Sequence, residues 1–222
     1  MDAATVKCRG CGATAPAGDL CPECRRLQPY PAGTDHFAVL GLPRRLGLDR
    51  ADLERRFHDL NRRFHPDYFR LRSPDEQATS LEDSAAVNTA YRALRDPVSR
   101  VEYVLEQEGM ALGTAGQAKP PAELFEEILE LQEVRQEFEA GGRRDAELRE
   151  RLRAARADFE ARRAGTEPEL VKLFPAWDAA PEAERRALLT RMRDTLATRA
   201  YLGTLLRDLT AALDGADGER AE

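Results

Sequence analysis

All four cysteines of this 222-residue chain fall between residues 8 and 24, spaced as Cys8-x2-Cys11-x9-Cys21-x2-Cys24. Each x2 pair can form a tight knuckle that aims two thiolates at one point. Two knuckles complete a tetrahedral S4 shell suited to Zn2+. Gly10, Gly12, Gly18 and Pro22 supply turn geometry. With all four positions filled by protein no site is left for water, so a zinc here is expected to be structural rather than catalytic. Two disulfides would need an oxidising compartment, and a redox Cys-x2-Cys needs only one pair and a βαβ context that this text lacks. An iron–sulfur centre could use the same thiolates. Residues 1–34 are therefore read as a small metal-binding module.

A second constellation is His65-Pro66-Asp67, and the elements around it determine how it is presented. A helix opening at Asp49 repeats Leu53, Phe57, Leu60 and Phe64 at intervals of 4, 3 and 4, which predicts one buried stripe. Arg55 and Arg62 fall on the opposite face, with Arg56 and Arg63 on its flank. Charge on an outer face is commonly no more than solvation. Pro66 cannot continue the helix and pushes His65 toward extended geometry, so the chain turns at 65–67. Ser73 and Glu76 then have capping-box spacing, with Pro74 at the first helical position. A further helix from about residue 74 carries Val87, Ala90, Tyr91 and Leu94 and ends at Asp96-Pro97. A shorter one bears Val101, Val104 and Leu105 before Gly109. Upstream, 35–43 predicts a brief helical piece with Phe37 and Leu40, stopped by Gly41 and Pro43. The two longer helices must then form an antiparallel hairpin with His65, Pro66 and Asp67 at its tip. The bland alternative is that His65 and Asp67 only cap helix ends.

Composition agrees with helices: 42% of residues are hydrophobic, only 6% aromatic and 33% charged, without alternating Val/Ile/Thr runs. The expected class is all-α, with at most a small irregular N-terminus. The net charge of −6 divides as +1 over 1–34, −2 over 35–110 and −5 over 111–222, so bulk affinity for nucleic acid is not expected. No run approaches the roughly 20 apolar residues of a membrane span, and MDAATVKCRG resembles neither a signal peptide nor a transit peptide. A cytoplasmic protein is expected. Of 34 basic residues only Lys7, Lys119 and Lys172 are lysines, which looks like genomic base-composition bias and suggests a bacterial source.

Residues 111–120 are small and weakly polar and read as a linker. After Pro120-Pro121 a helix of about 18 residues is predicted, with Leu124, Ile128, Leu131 and Phe138 on its core side. A second ridge, Phe125, Leu129, Glu133 and Glu137, runs at i+4 with Glu130 beside it. From Glu123 to Glu139 acids outnumber the single base Arg135, and like charges at this spacing repel, so self-stabilisation does not explain the ridge. A charged solvent face with Phe125 and Leu129 half buried would look the same. A helix after Gly141-Gly142 carries Leu148, Leu152, Ala155 and Phe159. It is expected to break at Gly165 and restart through Thr166 and Glu169. The last helix, about Pro181 to Leu213, contains Leu189, Met192, Leu196, Leu202, Leu206 and Leu209. Three helices with short connections predict an antiparallel bundle over 121–213, with a disordered tail at 214–222. Trp177, in the connection before the last helix, reads as a packing anchor.

The text HFAVLGLP, LERRFHDLNRRFHPDYF and AVNTAYRALRDPVSRVEYVLEQEG, nearly all of 35–110, resembles the J-domain family and within it the HscB (Hsc20) type. LFEEILELQEV and TRAYLGTLL extend the likeness more weakly into the bundle. CPECRRLQP resembles the cysteine-rich extension of animal members and supports the zinc reading; such a module could aid self-association. The resemblance implies that His65, Pro66 and Asp67 engage the ATP form of a DnaK/HscA-class chaperone and speed its hydrolysis. Arg55, Arg56, Arg62 and Arg63 would then lie along an acidic surface of that partner. It also implies that Phe125, Leu129, Glu130, Glu133 and Glu137, with Tyr201 from the last helix, hold an iron–sulfur cluster scaffold protein. Glu126 departs from the family's apolar pattern. The chain itself would not be an enzyme, since the chemistry belongs to the partner. A general J-domain co-chaperone for other clients is the nearest alternative. A zinc-ribbon nucleic-acid binder would need a basic, aromatic-bearing surface, yet 1–34 holds only Tyr30 as an aromatic. A thiol oxidoreductase would need an exposed cysteine of low pKa.

Overall fold

The structure is a computed structural model that describes residues 5–113, 124–141 and 145–218, with side chains to 214. Most of the predicted linker, 114–120, and the end of the tail, 219–222, lie outside the described residues. The chain divides into two compact units, residues 1–103 and 104–222. Among the described residues the fold is all-α apart from four short strands. No helix among the described residues is long and apolar enough to cross a membrane.

The first unit begins with two antiparallel ribbons where only irregular chain was expected. β1 (Thr5–Lys7) pairs with β2 (Thr14–Pro16), and β3 (Asp19–Leu20) with β4 (Leu27–Gln28). Such short ribbons are marginal alone. α1 (His36–Val39) is capped by the Asp35 carboxylate and ends at Gly41, whose φ of 63° favours glycine. α2 (Arg50–Arg63) starts at Asp49, which accepts the Asp52 N–H as predicted. Leu53 and Phe64 are fully buried, but Phe57 and Leu60 are only half-buried. Phe57 lies at the edge of the hairpin, where it stacks on Tyr91 with centroids 4.0 Å apart. A 3-10 turn, Pro66–Phe69, leads to α3 (Pro74–Arg95), capped by Ser73. α4 (Pro97–Gln107) follows. Val87, Ala90, Leu94 and Val101 are buried as the spacing predicted. Ser80 and Ser84 both donate to the Phe64 carbonyl, at 2.6 and 2.9 Å, tying the end of α2 to α3 just before the tip.

The second unit is built on α5 (Phe125–Ala140), α6 (Ala146–Lys172) and α8 (Glu182–Gly218), with the short α7 (Phe174–Ala179) between the last two. Ile128, Leu131, Val134 and Phe138 meet Leu148, Leu152 and Phe159 and then Leu202, Leu205, Leu209 and Leu213 in one core. Leu206, expected inside, is half-buried, and Leu205 takes the core position. The predicted break at Gly165 does not occur: α6 runs on through Gly165 and even through Pro168. Proline removes an interior helix bond, and side chains support the turn before it. The Thr166 hydroxyl donates to the Arg163 carbonyl at 2.6 Å, and Arg199 of α8 donates to both at 2.8 and 3.0 Å. Trp177 lies within α7 rather than in irregular chain. It is buried, with the Arg185 guanidinium 4.8 Å from its ring, a packing role as expected. α8 continues to Gly218, so 214–218 are helical where a disordered tail was predicted.

Candidate functional site

The cysteines converge. The Sγ atoms of Cys8, Cys11, Cys21 and Cys24 all lie within 4.8 Å of one another, with 3.4 Å between Cys8 and Cys24 and 3.7 Å between Cys11 and Cys21. A tetrahedron of thiolates at about 2.3 Å from Zn2+ has edges of about 3.8 Å, so the cluster has the dimensions of an S4 site. All four are free of disulfides. The two knuckles share one hydrogen-bond pattern. Cys8 N–H donates to Ala13 and Gly12 N–H to Cys8; Cys21 N–H donates to Arg26 and Arg25 N–H to Cys21. The left-handed residue is Gly12 in the first knuckle and Arg25 in the second, with φ of 76° and 60°. Gly10 N–H points at the Cys8 sulfur, 3.3 Å away, and a Cβ at Gly10 would stand 3.3 Å from the Cys24 sulfur. Backbone N–H groups of Cys11 and Gly10 outweigh burial and lower the Cys8 thiol to about 6. Against the backbone N–H groups of Ala13 and Arg26, hydrogen bonding among the thiols and burial raise Cys11 and Cys24, so the four thiols share charge that a bound cation would balance.

The module is joined to the helical hairpin by contacts that the sequence did not suggest. Tyr30 N–H donates to Asp83 of α3 at 3.1 Å, the Tyr30 hydroxyl donates to the Val39 carbonyl at 3.1 Å, and the ring meets Phe64 edge-on at 6.0 Å. Gly18 lies against this ring, where any Cβ would collide with it. Asp19 of β3 pairs with Arg63 at the end of α2. Asp83 is 1% exposed, and one of its oxygens has no hydrogen-bond partner. Burial therefore raises its carboxyl to about 6 from an ordinary 3.8, despite the Tyr30 N–H. Because the folded carboxyl holds its proton more tightly than the unfolded one, this group favours folding below about pH 4, and that advantage is lost as pH rises through about 6. The roughly two-unit shift corresponds to about 3 kcal/mol. Urea unfolding of the wild type and Asp83→Asn between pH 4 and 7 should show a downward slope that the variant lacks; parallel profiles would contradict it.

At the tip, His65 caps the 3-10 turn: its Nδ1 accepts the Asp67 N–H at 3.3 Å, which places the proton of the neutral ring on Nε2. The Asp67 carboxylate remains 72% exposed, 3.6 Å from the same Nδ1. His65, Asp67 and Tyr68 line an open cleft with His58, Asn61 and Arg62. His65 and Pro66 do shape the turn locally, but no helix end uses the Asp67 carboxylate, which faces solvent at the apex. The α2 arginines are exposed or half-exposed, yet each is engaged by this chain. Arg55 and Arg56 pair with Asp52, Arg56 also reaches the Gly41 carbonyl at 2.7 Å, Arg62 pairs with Asp59 at 2.6 Å, and Arg63 holds Asp19.

On α5, Phe125, Leu129, Glu130, Glu133 and Glu137 are all exposed, and the two apolar members are 56% and 50% exposed. Tyr201 is half-buried against the bundle core, and burial raises its phenol, with the Asp208 charge adding to the shift. Glu126 is exposed on the same helix, while Glu127 is drawn into a bidentate pair with Arg162 of α6 at 2.8 and 3.1 Å.

No family model matches the chain. Among solved structures it is similar to the human co-chaperone protein HscB, with 24% identity and a TM-score of 0.62, over 93% of this chain and 98% of that one. The fold is that of HscB. Chaperone HscB from Vibrio cholerae matches with a TM-score of 0.53 at 24% identity, covering 82% of this chain and 99% of that one. The HscB fold thus accounts for nearly the whole length, including the helical hairpin and the three-helix bundle.

Proposed function

We propose that the chain is a non-enzymatic J-domain co-chaperone that binds an iron–sulfur cluster scaffold protein, delivers it to a DnaK/HscA-class chaperone and stimulates that chaperone's ATPase. The observation that carries this reading is the exposed His65-Pro66-Asp67 turn at the apex of the α2–α3 hairpin, on an HscB fold. The turn would bind the hydrolysis-competent state of the partner in preference to its other states and so raise that state's population. In this reading 1–34 form a metal module, 35–110 the J-domain, 111–120 a linker and 121–213 the scaffold-binding bundle, acting in a bacterial cytoplasm. Cys8, Cys11, Cys21 and Cys24 would hold a structural Zn2+ whose role is to cross-link two knuckles that bury little apolar surface.

The exposed ridge of α5 supports the scaffold assignment. Two large apolar side chains standing half in water among glutamates contribute little to the bundle, but they would gain from burial against a basic, apolar partner surface. Calorimetric titration of the scaffold protein should show that Phe125→Ala with Leu129→Ala weakens capture by about tenfold or more. ATPase stimulation by the tip should persist in that variant. Unchanged capture would remove the scaffold from this surface, and loss of both activities together would mean that the fold had failed.

A further inference from the structure

Every arginine of α2 named above already has a carboxylate of its own chain, so the unspent positive charge near the tip lies elsewhere. Arg70 and Arg72 are exposed and have no ion-pair partner among the described residues. Between them stands Leu71, which is 100% exposed, and Tyr68 just before is 70% exposed. The segment is nevertheless held in place. Phe69 is buried beneath it, Arg72 N–H donates to the Phe69 carbonyl at 2.9 Å, and the Gln77 side-chain amide donates to the carbonyls of Arg70 and Arg72 at 3.2 and 2.9 Å. One amide thus clamps the chain on both sides of Leu71. A leucine presented so rigidly to water does nothing for this fold, whereas burying it in a partner would be favourable.

We propose that Arg70, Leu71 and Arg72 form a second docking element for the ATPase engaged by the tip. Leu71 enters an apolar recess, and the two guanidinium groups meet carboxylates on its rim. This rests on the co-chaperone reading. Charge selects the occupant: two unpaired cations flanking one apolar side chain complement an acidic protein surface, and the segment continues directly from Asp67. The tip then changes the partner's state, while this element sets affinity and encounter rate.

The test uses the full chain with a DnaK-class ATPase purified from the same cells and measures hydrolysis against chain concentration. Leu71→Ala should raise the half-maximal concentration about tenfold. Arg70→Ala with Arg72→Ala should raise it and also flatten its dependence on salt. Both variants should reach the wild-type maximal rate at saturation and keep the wild-type melting temperature, because Leu71 is fully exposed and the two arginines are exposed with no ion-pair partner among the described residues. A wild-type chain that stimulates while all variants match it overturns this surface alone; a wild-type chain that does not stimulate overturns the co-chaperone reading with it. A lowered maximal rate at saturation would overturn the division of labour. Cosedimentation of the wild type with phosphatidylserine vesicles, lost in the arginine variant, would assign the element to a membrane and overturn it too.

Discussion

Asp67→Asn is expected to reduce ATPase stimulation to the basal rate of the partner while leaving the chain folded. The carboxylate is 72% exposed and has no bond among the described residues beyond its distant approach to His65 Nδ1, so an amide of the same shape costs the fold almost nothing. The backbone N–H that His65 accepts is untouched. In a complex the same carboxylate would be desolvated against donors of the partner. Replacing one member of such a charged pair typically costs about 2–5 kcal/mol, or more than about 30-fold in equilibrium terms. His65 and Pro66 are less clean probes: His65 caps the 3-10 turn and Pro66 opens it, so changing either also alters local structure. Hydrolysis measured with wild type and variant at equal concentration, beside their circular dichroism spectra, separates the two effects. Full stimulation by Asp67→Asn would refute the role of the tip.

Cys21→Ser should have the second large effect, on stability rather than on the partner. Cys21 is fully buried and belongs to the knuckle that relies on Arg25 in a left-handed conformation. With a metal bound, losing one of four thiolates removes much of a binding free energy that reaches about 10 kcal/mol or more in structural zinc sites. Two ribbons of three and two paired residues cannot replace it. Residues 5–28 should therefore lose protection from amide exchange, in the variant and equally in wild type treated with chelator. The protection of α6 and α8 should remain, since those helices have their own apolar core. Release of about one zinc per chain on chelation would identify the metal. A fully protected module in metal-free protein would show that the thiol cluster holds itself together.

Where a single local rule decided the structure, the sequence was enough. Asp49 and Ser73 cap their helices, Pro66 forces the turn, and the x2 spacing brings the four thiols together. The failures occur where distant residues decide. Gly165 read as a break with a restart through Thr166 and Glu169, but α6 runs on, and Arg199, 36 positions from Arg163 in sequence, donates to the Arg163 carbonyl beside it. Nothing in the sequence singled out Asp83; only the fold brings the backbone of Tyr30 to it across 53 positions. The α2 arginines were read as facing a partner; their pairs with Asp52 and Asp59 stand at i,i+3 or i,i+4 and were open to sequence reading, whereas only the fold brings Asp19 to Arg63. Exposure of Leu71 had no signal in the periodicity, because it lies in the irregular segment between two helices, where no hydrophobic period applies.

Coupling of a scaffold protein to an ATPase by one chain is read out by ATP hydrolysis of the cognate DnaK/HscA-class chaperone, with the chain added alone and together with the iron–sulfur scaffold protein. The chain should raise the rate, and the scaffold should raise it further. Both gains should vanish in Asp67→Asn, and only the scaffold-dependent gain in Phe125→Ala with Leu129→Ala. A wild-type chain that leaves hydrolysis at its basal rate, or a scaffold-dependent gain that survives removal of Phe125 and Leu129, would contradict it.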